Sequence, residues 1–304
     1  MANERTLHSK KYRHLFSLKK FLALTAQLQL ARLAKRHLAT RRQLIVFSFD
    51  HIATQINFDG VYELQELETF FEWVLALAPE VFRDSVAVDA GANIGNHSLY
   101  FSDHFLRVHS FEPNPRTFNV LRLNADLVAN VICHPIGLSS TEGEALLEVN
   151  SSNIGASRIS PSPTPEARTI RLGTLDAELA SETKIRLIKV DVEGHEPEVL
   201  LGAEKIIRSQ KPIIIFEQLE SSVNAGQSES HRILESFGYR HFALICRTPK
   251  VRIPVSRLLS WGCTVFARLL LGERMRISLV EEFKAESQPM VIALPDWLAR
   301  RAIT

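Results

Sequence analysis

Short apolar runs alternate with stretches of helical period along the middle of the chain. Apolar runs bounded by turn residues are typical of buried strands, and apolar residues spaced three and four apart are typical of helices. The alternation of the two predicts an α/β domain with a mostly parallel, doubly wound sheet covered by helices on both faces. The predicted strands cover residues 85–88, 108–111, 131–136, 145–149, 169–172, 185–190, 212–216 and 290–294, and the predicted helices cover residues 63–77, 95–105, 116–128 and 197–208.

The first 43 residues differ in charge from the rest of the chain. They contain eleven Lys and Arg residues and one acid, Glu4, so they carry +10, whereas the remainder carries −8 of the net +2. Leu and Phe recur between Lys10 and Arg42 without Pro or Gly, which predicts a basic amphipathic helix. Such a helix either packs on the main domain with a solvated basic face or attracts an anionic lipid surface or a phosphorylated glycan carrier. Unlike a signal peptide it is basic throughout, so we expect it to be retained.

The composition is that of an ordinary globular protein. The chain has 304 residues, of which 45% are hydrophobic and 23% charged, and its apolar runs are too short to cross a bilayer. Three cysteines without a CxxC pair argue against a disulfide framework or a structural zinc site and favour a reducing compartment. We therefore expect a cytoplasmic protein. If the basic helix binds anionic lipid, we expect the protein to contact the inner face of the membrane peripherally. The expected division is 1–45 (basic helix), 46–246 (main domain) and 247–304 (an extension packed on it).

The first predicted strand of the sheet runs into a turn that contains two glycines. The segment reads Val86-Ala-Val-Asp-Ala-Gly-Ala-Asn-Ile-Gly95. Gly91 can take a positive φ and lets a ligand approach the backbone, and Gly95 opens a helix whose amides face the same ligand. The spacing is neither GxGxxG nor GxxxxGK[ST], and Asp89 is unfavourable beside phosphates. The segment therefore indicates a cationic or zwitterionic ligand rather than a pyrophosphate.

Glu112 ends the next predicted strand, 23 residues after Asp89. An acid at this place can accept two hydrogen bonds from a ribose diol, as acids do at the end of the second strand in nucleoside-binding folds. Together Asp89 and Glu112 suggest an adenosyl group without phosphates.

Seven short segments follow one another over roughly residues 60–245. They are Val88-Asp-Ala-Gly-Ala-Asn-Ile-Gly95, Phe111-Glu-Pro-Asn-Pro115, Gly137-Leu-Ser-Ser-Thr-Glu-Gly143, Asn153-Ile-Gly-Ala-Ser157, Thr174-Leu-Asp176, Ile188-Lys-Val-Asp-Val-Glu-Gly-His-Glu196 and Leu200-Leu-Gly-Ala203. In this order they resemble the class I methyltransferases that bind S-adenosylmethionine (SAM), and more closely the FkbM-type methyltransferases.

The resemblance implies a Rossmann-like, seven-stranded sheet and transfer of the sulfonium methyl of SAM to a hydroxyl, often of a sugar or a glycosylated product. The acceptor is then a saccharide or glycolipid, and no nucleic acid is expected. The residues that the resemblance and the strand-end positions assign to the cofactor are Asp89, Gly91, Asn93, Gly95, Glu112 and Asp191.

Three side chains at the expected methyl position are candidates for removing the hydroxyl proton. Asp191 and His195 follow the strand at residues 185–190, and Glu217 ends the strand at 212–216. His195 is the natural base because an imidazole is largely neutral at pH 7. Alternatively, His195 only begins the following helix, Asp191 contacts the ammonium group of SAM or caps the turn, and Glu217 is a strand-terminal acid without a role in the reaction. Glu196 is expected to cap the following helix.

Several other readings stay open from the residues alone. Asn93 either holds the methionine carboxylate or shapes the turn, and His97 either faces the pocket or packs in its helix. Asp191, Glu217 and His195 are competent metal ligands, but no tight ligand spacing supports a metal site, so none is predicted. The alternative functions are a catalytically silent SAM-binding scaffold and a nucleic-acid-binding or membrane-associated interaction protein.

Overall fold

The computed structural model describes residues 18–148, 157–160, 167–218, 223–224, 227–249, 256–280, 283 and 287–303. Residues 153–156 of the segment Asn153–Ser157, residue 149 of the strand predicted at 145–149 and the first 17 residues of the basic segment lie outside these ranges. The helices are α1 (Leu18–Thr40), α2 (His51–Asp59), α3 (Leu64–Leu77), α4 (Asn96–Phe101), α5 (Pro115–Ala125), α6 (Leu175–Glu178), α7 (Glu196–Leu201), α8 (Glu204–Gln210), α9 (Glu229–Ser236), α10 (Arg257–Leu271) and α11 (Asp296–Ile303). The strands are β1 (Val86–Ala90), β2 (Arg107–Phe111), β3 (Val131–His134), β4 (Gly137–Leu138), β5 (Gly143–Glu148), β6 (Arg158–Ser160), β7 (Ala167–Gly173), β8 (Ile185–Val190), β9 (Ile213–Gln218), β10 (Val223–Asn224), β11 (Gln227–Ser228), β12 (His241–Thr248), β13 (Arg274–Val280) and β14 (Gln288–Leu294).

The main sheet is doubly wound and mostly parallel, as predicted. Its order over the described residues is β13-β12-β14-β9-β8-β1-β2-β3. Strands β3, β2, β1, β8 and β9 are parallel, whereas β14, β12 and β13 add antiparallel pairs at the other side. The expected number of seven strands is wrong, because β13 pairs with β12 and adds an eighth strand at the edge. The predicted strand at residues 290–294 is confirmed within β14, so residues 247–304 contribute to this sheet.

The strands predicted at residues 145–149 and 169–172 belong to a separate sheet, contrary to the expectation. Its order is β4-β7-β5-β6, and β5 pairs antiparallel with β7 from Gly143 opposite Leu172 onward. No helix of the described residues lies between β5 and β7. Parallel neighbours need a long crossover, usually helical, so these two strands form an antiparallel pair instead. The small sheet stands beside the carboxyl end of β3.

Apolar side chains on both faces of the main sheet form its core. One cluster contains Val88, Ile188 and Phe216, and the other, on the opposite face, contains Ala87, Leu187 and Ile215. Strands covered on both faces read as continuous apolar runs, which is why the sequence pattern located them. Polar side chains on these strands are therefore exceptions that need a partner.

The helix predicted at residues 197–208 is divided into α7 and α8. A Cβ atom on Gly202 would stand 1.9 Å from the carbonyl oxygen of Ser139, so the backbone passes closely there. Both carboxylate oxygens of Asp176 accept hydrogen bonds, from the amides of Lys205 and Ile206 at 2.9 Å, and start the second helix. A carboxylate at a helix N-terminus satisfies amides that have no partner within the helix.

The basic N-terminal segment is helical from Leu18 to Thr40, which confirms the predicted helix for the described part. Its apolar side chains do not form one face, because Leu22, Leu24 and Leu30 point in different directions around the axis and all three are exposed. The amphipathic reading of this segment is therefore wrong for α1. None of the helices in the described ranges has the length and apolar character needed to cross a membrane.

Candidate active site

A cavity of about 230 Å³ opens at the carboxyl edge of the main sheet. This is the edge at which ligands bind in open α/β sheets. Of the residues singled out from the sequence, Gly91, Asn93, His97, Glu112, Asp191, His195 and Glu217 line it. Asp89 and Gly95 do not, and their expected contact with a ligand is corrected here: Asp89 is fully buried beneath the cavity, and the Gly95 Cα faces Leu121.

The turn after β1 brings the backbone of two strands into contact. Gly91 has φ 78°, and a Cβ atom there would stand 1.8 Å from the carbonyl oxygen of Asp191. Asn93 also lies in the left-handed region, with φ 51°. Only glycine permits the approach at position 91. Gly91 thus allows the backbone after β1 to approach the backbone after β8 closely at the base of the cavity.

Glu112 is buried at the end of β2 and is held by two backbone amides. Its Oε2 accepts a hydrogen bond from the amide of Asn93 at 3.0 Å, and its Oε1 accepts one from the amide of Asn114 at 2.8 Å. Burial raises the pKa of Glu112 to about 7, although both amides favour the charged form. A carboxylate has about four acceptor sites, so each oxygen retains one for a ligand. This geometry suits a pair of hydroxyl groups.

A buried lysine, Lys189, links the two strands below the cavity. Its Nζ lies 3.5 Å from Oδ1 of Asp89 and 3.0 Å from Oδ2 of Asp191. Burial lowers the pKa of Lys189, but the two carboxylates outweigh it and raise the pKa overall. The other oxygen of Asp89 accepts a 2.6 Å hydrogen bond from Ser98 Oγ, which itself accepts one from Ser110 at 2.8 Å. Asp89 therefore acts as the anchor of Lys189.

Asp191 and Glu217 form a carboxyl pair in the cavity wall. Burial raises the pKa of Asp191, but Lys189 outweighs it, and a hydrogen bond from Glu217 lowers it further. Burial and then the charge of Asp191 raise the pKa of Glu217 to about 8. Two neighbouring carboxyl groups of unequal surroundings hold one proton between them. Glu217 carries that proton at neutral pH, and Asp191 is ionised.

His195 is held at both ring nitrogens. Its Nε2 is 3.0 Å from Ser139 Oγ, and its Nδ1 is 3.5 Å from Glu198 Oε2. Burial lowers the pKa of His195, so the ring is neutral at pH 7. It also precedes the first residue of α7. His195 thus both lines the cavity and precedes a helix, which are the two roles that the sequence left open.

Glu196 begins α7, but its side chain holds the preceding loop rather than capping the helix as expected. Its Oε1 accepts hydrogen bonds from the amides of Val192 and Gly194, both at 3.1 Å. These contacts hold the turn that carries Glu193, whose φ of 55° is positive. Glu196 therefore fixes the loop between Asp191 and His195.

One wall of the cavity was missed by the sequence analysis. Tyr62 and Glu63 precede α3, and Glu63 Oε2 lies 3.3 Å from His97 Nε2. The Tyr62 ring packs edge-on against His51 at 5.6 Å between ring centroids. Burial, then the charges of Glu63 and Asp191, raise the pKa of the Tyr62 hydroxyl. No sequence signal marks these residues, because they reach the cavity through the packing of α2 and α3 on the sheet.

Asp191, Glu217 and His195 were also considered as metal ligands. Among the described residues, no group of three or more His, Cys, Asp or Glu side chains is arranged to hold a metal ion.

Comparison with known proteins places this site in one family. The family model of the methyltransferase FkbM domain matches residues 89–241, which is half of the chain and runs from the end of β1 to the start of β12. The chain is 34% identical over 160 residues to the hexuronic acid methyltransferase AglP of Haloferax volcanii, an alignment that covers 52% of this chain and 66%, just under two thirds, of that protein. It is 29% identical over 182 residues to Methyltransferase 1 of Beauveria bassiana, covering 51% of this chain and 72% of that one.

Among solved structures, a methyltransferase FkbM from Methylobacillus flagellatus KT is 19% identical, with a TM-score of 0.36 over 69% of this chain and 51% of that one.

The raised pKa of Glu217 predicts a pH-dependent stability. Between the ordinary carboxyl pKa and about 8, the folded chain holds a proton on Glu217 that the unfolded chain has lost. Stability from this group therefore falls as pH rises through that window, by at most about 1.4 kcal/mol per pH unit. Glu217→Gln removes the dependence, so the variant should gain stability relative to the native chain between pH 5 and pH 8, as measured by urea unfolding. Glu144→Gln, at an exposed position in β5, is the control and should leave the profile unchanged; a parallel shift of both profiles would contradict the prediction.

Proposed function

The chain belongs to the FkbM methyltransferase family, and from this membership we propose that it transfers the methyl group of SAM to a hydroxyl oxygen of a saccharide. The observation that carries the proposal is Glu112, a buried carboxylate with free acceptor sites beside the tight turn at Gly91. The hexuronic acid named for the archaeal relative supports a sugar acceptor.

The cavity residues suit the parts of SAM. Glu112 can accept hydrogen bonds from both ribose hydroxyls. Ile136, Leu138, Leu147 and Ile170 supply an apolar side of the cavity next to the small sheet, which suits the flat adenine. Asp191 offers a carboxylate for the ammonium group. SAM supplies an electrophilic methyl group, and the chain has to orient the acceptor oxygen in line with it and exclude water.

We propose that the acceptor sugar is neutral or cationic. The described lining residues include six acids (Asp50, Glu63, Glu112, Asp191, Glu193 and Glu217) and a single Lys or Arg, Lys189. Lys189 is already paired with Asp89 and Asp191. A uronate carboxylate would therefore enter a site with surplus negative charge and meet no unpaired lining cation. This separates the proposed acceptor from the one in the archaeal relative's name.

We propose that Glu217 takes the proton from the acceptor hydroxyl. His195 already engages both ring nitrogens, and Asp191 is a weak base because Lys189 holds it ionised. Glu217 has the highest proton affinity of the three, which favours proton removal once the group is ionised. A cationic ligand in the cavity stabilises the ionised form of Glu217 and so lowers its pKa. In this arrangement His195 positions the loop after β8, and the negative charge of Asp191 favours the proton on Glu217.

The basic segment at residues 1–43 supports a further part of the proposal, that the enzyme works beside an anionic lipid surface. Its charge of +10 attracts such a surface over about 8 Å at physiological ionic strength. A lipid-linked saccharide would be held near the enzyme by this attraction.

Loss of the Glu112 carboxylate should weaken SAM binding. Glu112→Gln removes a charged acceptor, and charge-assisted hydrogen bonds contribute about 1.5–3 kcal/mol. We expect Kd for SAM to rise about 10- to 150-fold by calorimetry, since 1.4 kcal/mol is a factor of ten. Glu144→Gln should bind as the native chain does. Native affinity in Glu112→Gln, with native melting, would exclude ribose recognition by this residue.

The acceptor class is tested with pairs of hexosides and the corresponding hexuronides, each incubated with labelled SAM. Like charges about 4 Å apart repel by roughly 1 to 4 kcal/mol between water and a protein surface. The neutral hexoside should therefore react with a kcat/KM at least about tenfold higher than that of the hexuronide. Glu193→Gln should reduce this difference in kcat/KM. A faster hexuronide would overturn the charge argument. Absence of transfer to every acceptor, with SAM bound tightly, would instead favour a silent SAM-binding scaffold.

Removal of the proton acceptor should lower turnover without loss of SAM. Glu217→Gln should reduce kcat about 10²- to 10⁴-fold, the usual contribution of a general base, with near-native SAM affinity and a melting temperature no lower than that of the native chain. Asp191→Asn should also weaken SAM binding, and His195→Ala should mainly lower the melting temperature. If Glu217→Gln turns over within about threefold of the native enzyme while His195→Ala loses the larger factor, His195 is the base.

A further inference from the structure

Helix α10 connects β12 to β13 and presents an apolar stripe to solvent. It begins after Ser256, whose Oγ accepts a hydrogen bond from the amide of Leu259 at 3.3 Å. Leu259, Cys263, Phe266 and Leu270 are spaced four, three and four apart, so they share one side of the helix. Leu259, Phe266 and Leu270 are 58%, 64% and 68% exposed, and Cys263 is exposed as well.

The side of α10 away from the stripe carries half-buried polar side chains, although Trp261 and Leu271 beside them are 67% and 75% exposed. Ser260, Thr264 and Arg268 follow one another at four-residue spacing and are half-buried. Arg268 donates from Nε to the carbonyl oxygen of Pro249 at 3.3 Å, and its Nη1 lies 3.2 Å from Glu273 Oε1. A helix on the surface of a soluble domain normally turns its apolar stripe inward. In α10 the stripe of Leu259, Phe266 and Leu270 is exposed instead.

Basic residues are frequent in the sequence around α10. Residues 247–276 contain seven Lys and Arg residues and one acid, Glu273, so this stretch carries +6. Arg274 and Arg276, at the start of β13, are exposed directly after the helix. Apolar surface flanked by cations is complementary to a lipid surface with anionic headgroups. Pairing with a second copy would bring two strongly basic stretches together, which is unfavourable.

We propose that α10 lies in the interface of an anionic lipid bilayer, with its apolar stripe among the acyl chains and Arg274 and Arg276 at the headgroups. The contact is peripheral, since the helix has 15 residues and lies along the surface. It is carried by residues outside the cavity and does not depend on the methyl transfer.

The first test is vesicle binding by the full chain. Co-sedimentation is measured with phosphatidylcholine vesicles, with and without phosphatidylglycerol. The variant L259Q/F266Q/L270Q should lose more than tenfold in affinity for the anionic vesicles. The matched control L106Q/L123Q/L127Q removes three leucines that are 56%, 49% and 46% exposed elsewhere, and it should bind within threefold of the native chain. Melting temperature and SAM affinity verify that both variants are folded.

The second test separates α10 from the basic N-terminal segment. An environment-sensitive dye attached to Cys263 in a C133S/C246S chain lies within the stripe and senses only α10. Its emission should shift to the blue on anionic vesicles and be quenched by a lipid-borne quencher, and R274Q/R276Q should weaken the anionic preference.

An unshifted dye, or native binding by L259Q/F266Q/L270Q, would overturn the proposal. So would a native dimer in the absence of lipid, by light scattering, that this variant converts to monomer.

Discussion

The ion pairs that the buried Lys189 makes with Asp89 and Asp191 are the constraint on which the site depends. Asp89 and Lys189 are direct partners across the parallel strands β1 and β8, and Lys189 is 5% exposed. A buried charge is tolerated only when it is paired and hydrogen-bonded. The polar pair therefore fixes the two central strands at the edge where the cavity opens. The second partner of Lys189, Asp191, places a negative charge in the cavity wall. This charge raises the pKa of Glu217, which therefore holds a proton.

The sequence predicted the parts of the site that follow from local pattern. Apolar runs located the parallel strands, and the positions of Gly91 and Glu112 at strand ends placed them in the cavity. The role of Asp89 was misjudged, because the sequence does not tell which face of a doubly buried strand a side chain takes. Tyr62 and Glu63 were missed for a similar reason. Their position depends on helix packing, which leaves no signature in residue spacing.

The sheet was predicted less well where its strands are not parallel. The antiparallel strands β5 and β7 are connected without a described helix, whereas β13 pairs antiparallel with β12 although α10 connects the two. Such pairings depend on the whole fold rather than on local periodicity. The same holds for the orientation of α10, a helix that the sequence analysis did not predict.

Ion pairs connect the first turns of α3, next to the cavity wall, to residues beside α1 and α10. Arg247 at the end of β12 contacts Glu66 at 2.9 Å and lies 3.8 Å from Glu273, to which Arg268 of α10 is paired. Arg41, just after α1, lies 3.6 Å from Glu68. Tyr62 and Glu63 of the cavity wall come directly before this helix. A lipid surface on α10 would thus be connected to the cavity wall that Tyr62 and Glu63 form.

The central claim, a carboxyl pair whose proton is displaced by a cationic methyl donor, is tested most directly by calorimetry of SAM binding in buffers of different ionisation enthalpy. At pH 7 we expect binding to release more protons from the native chain than from Glu217→Gln, in which only Glu112, whose pKa is about 7, can still release part of a proton. Proton release that is absent from the native chain, or equal in the two proteins, would contradict it.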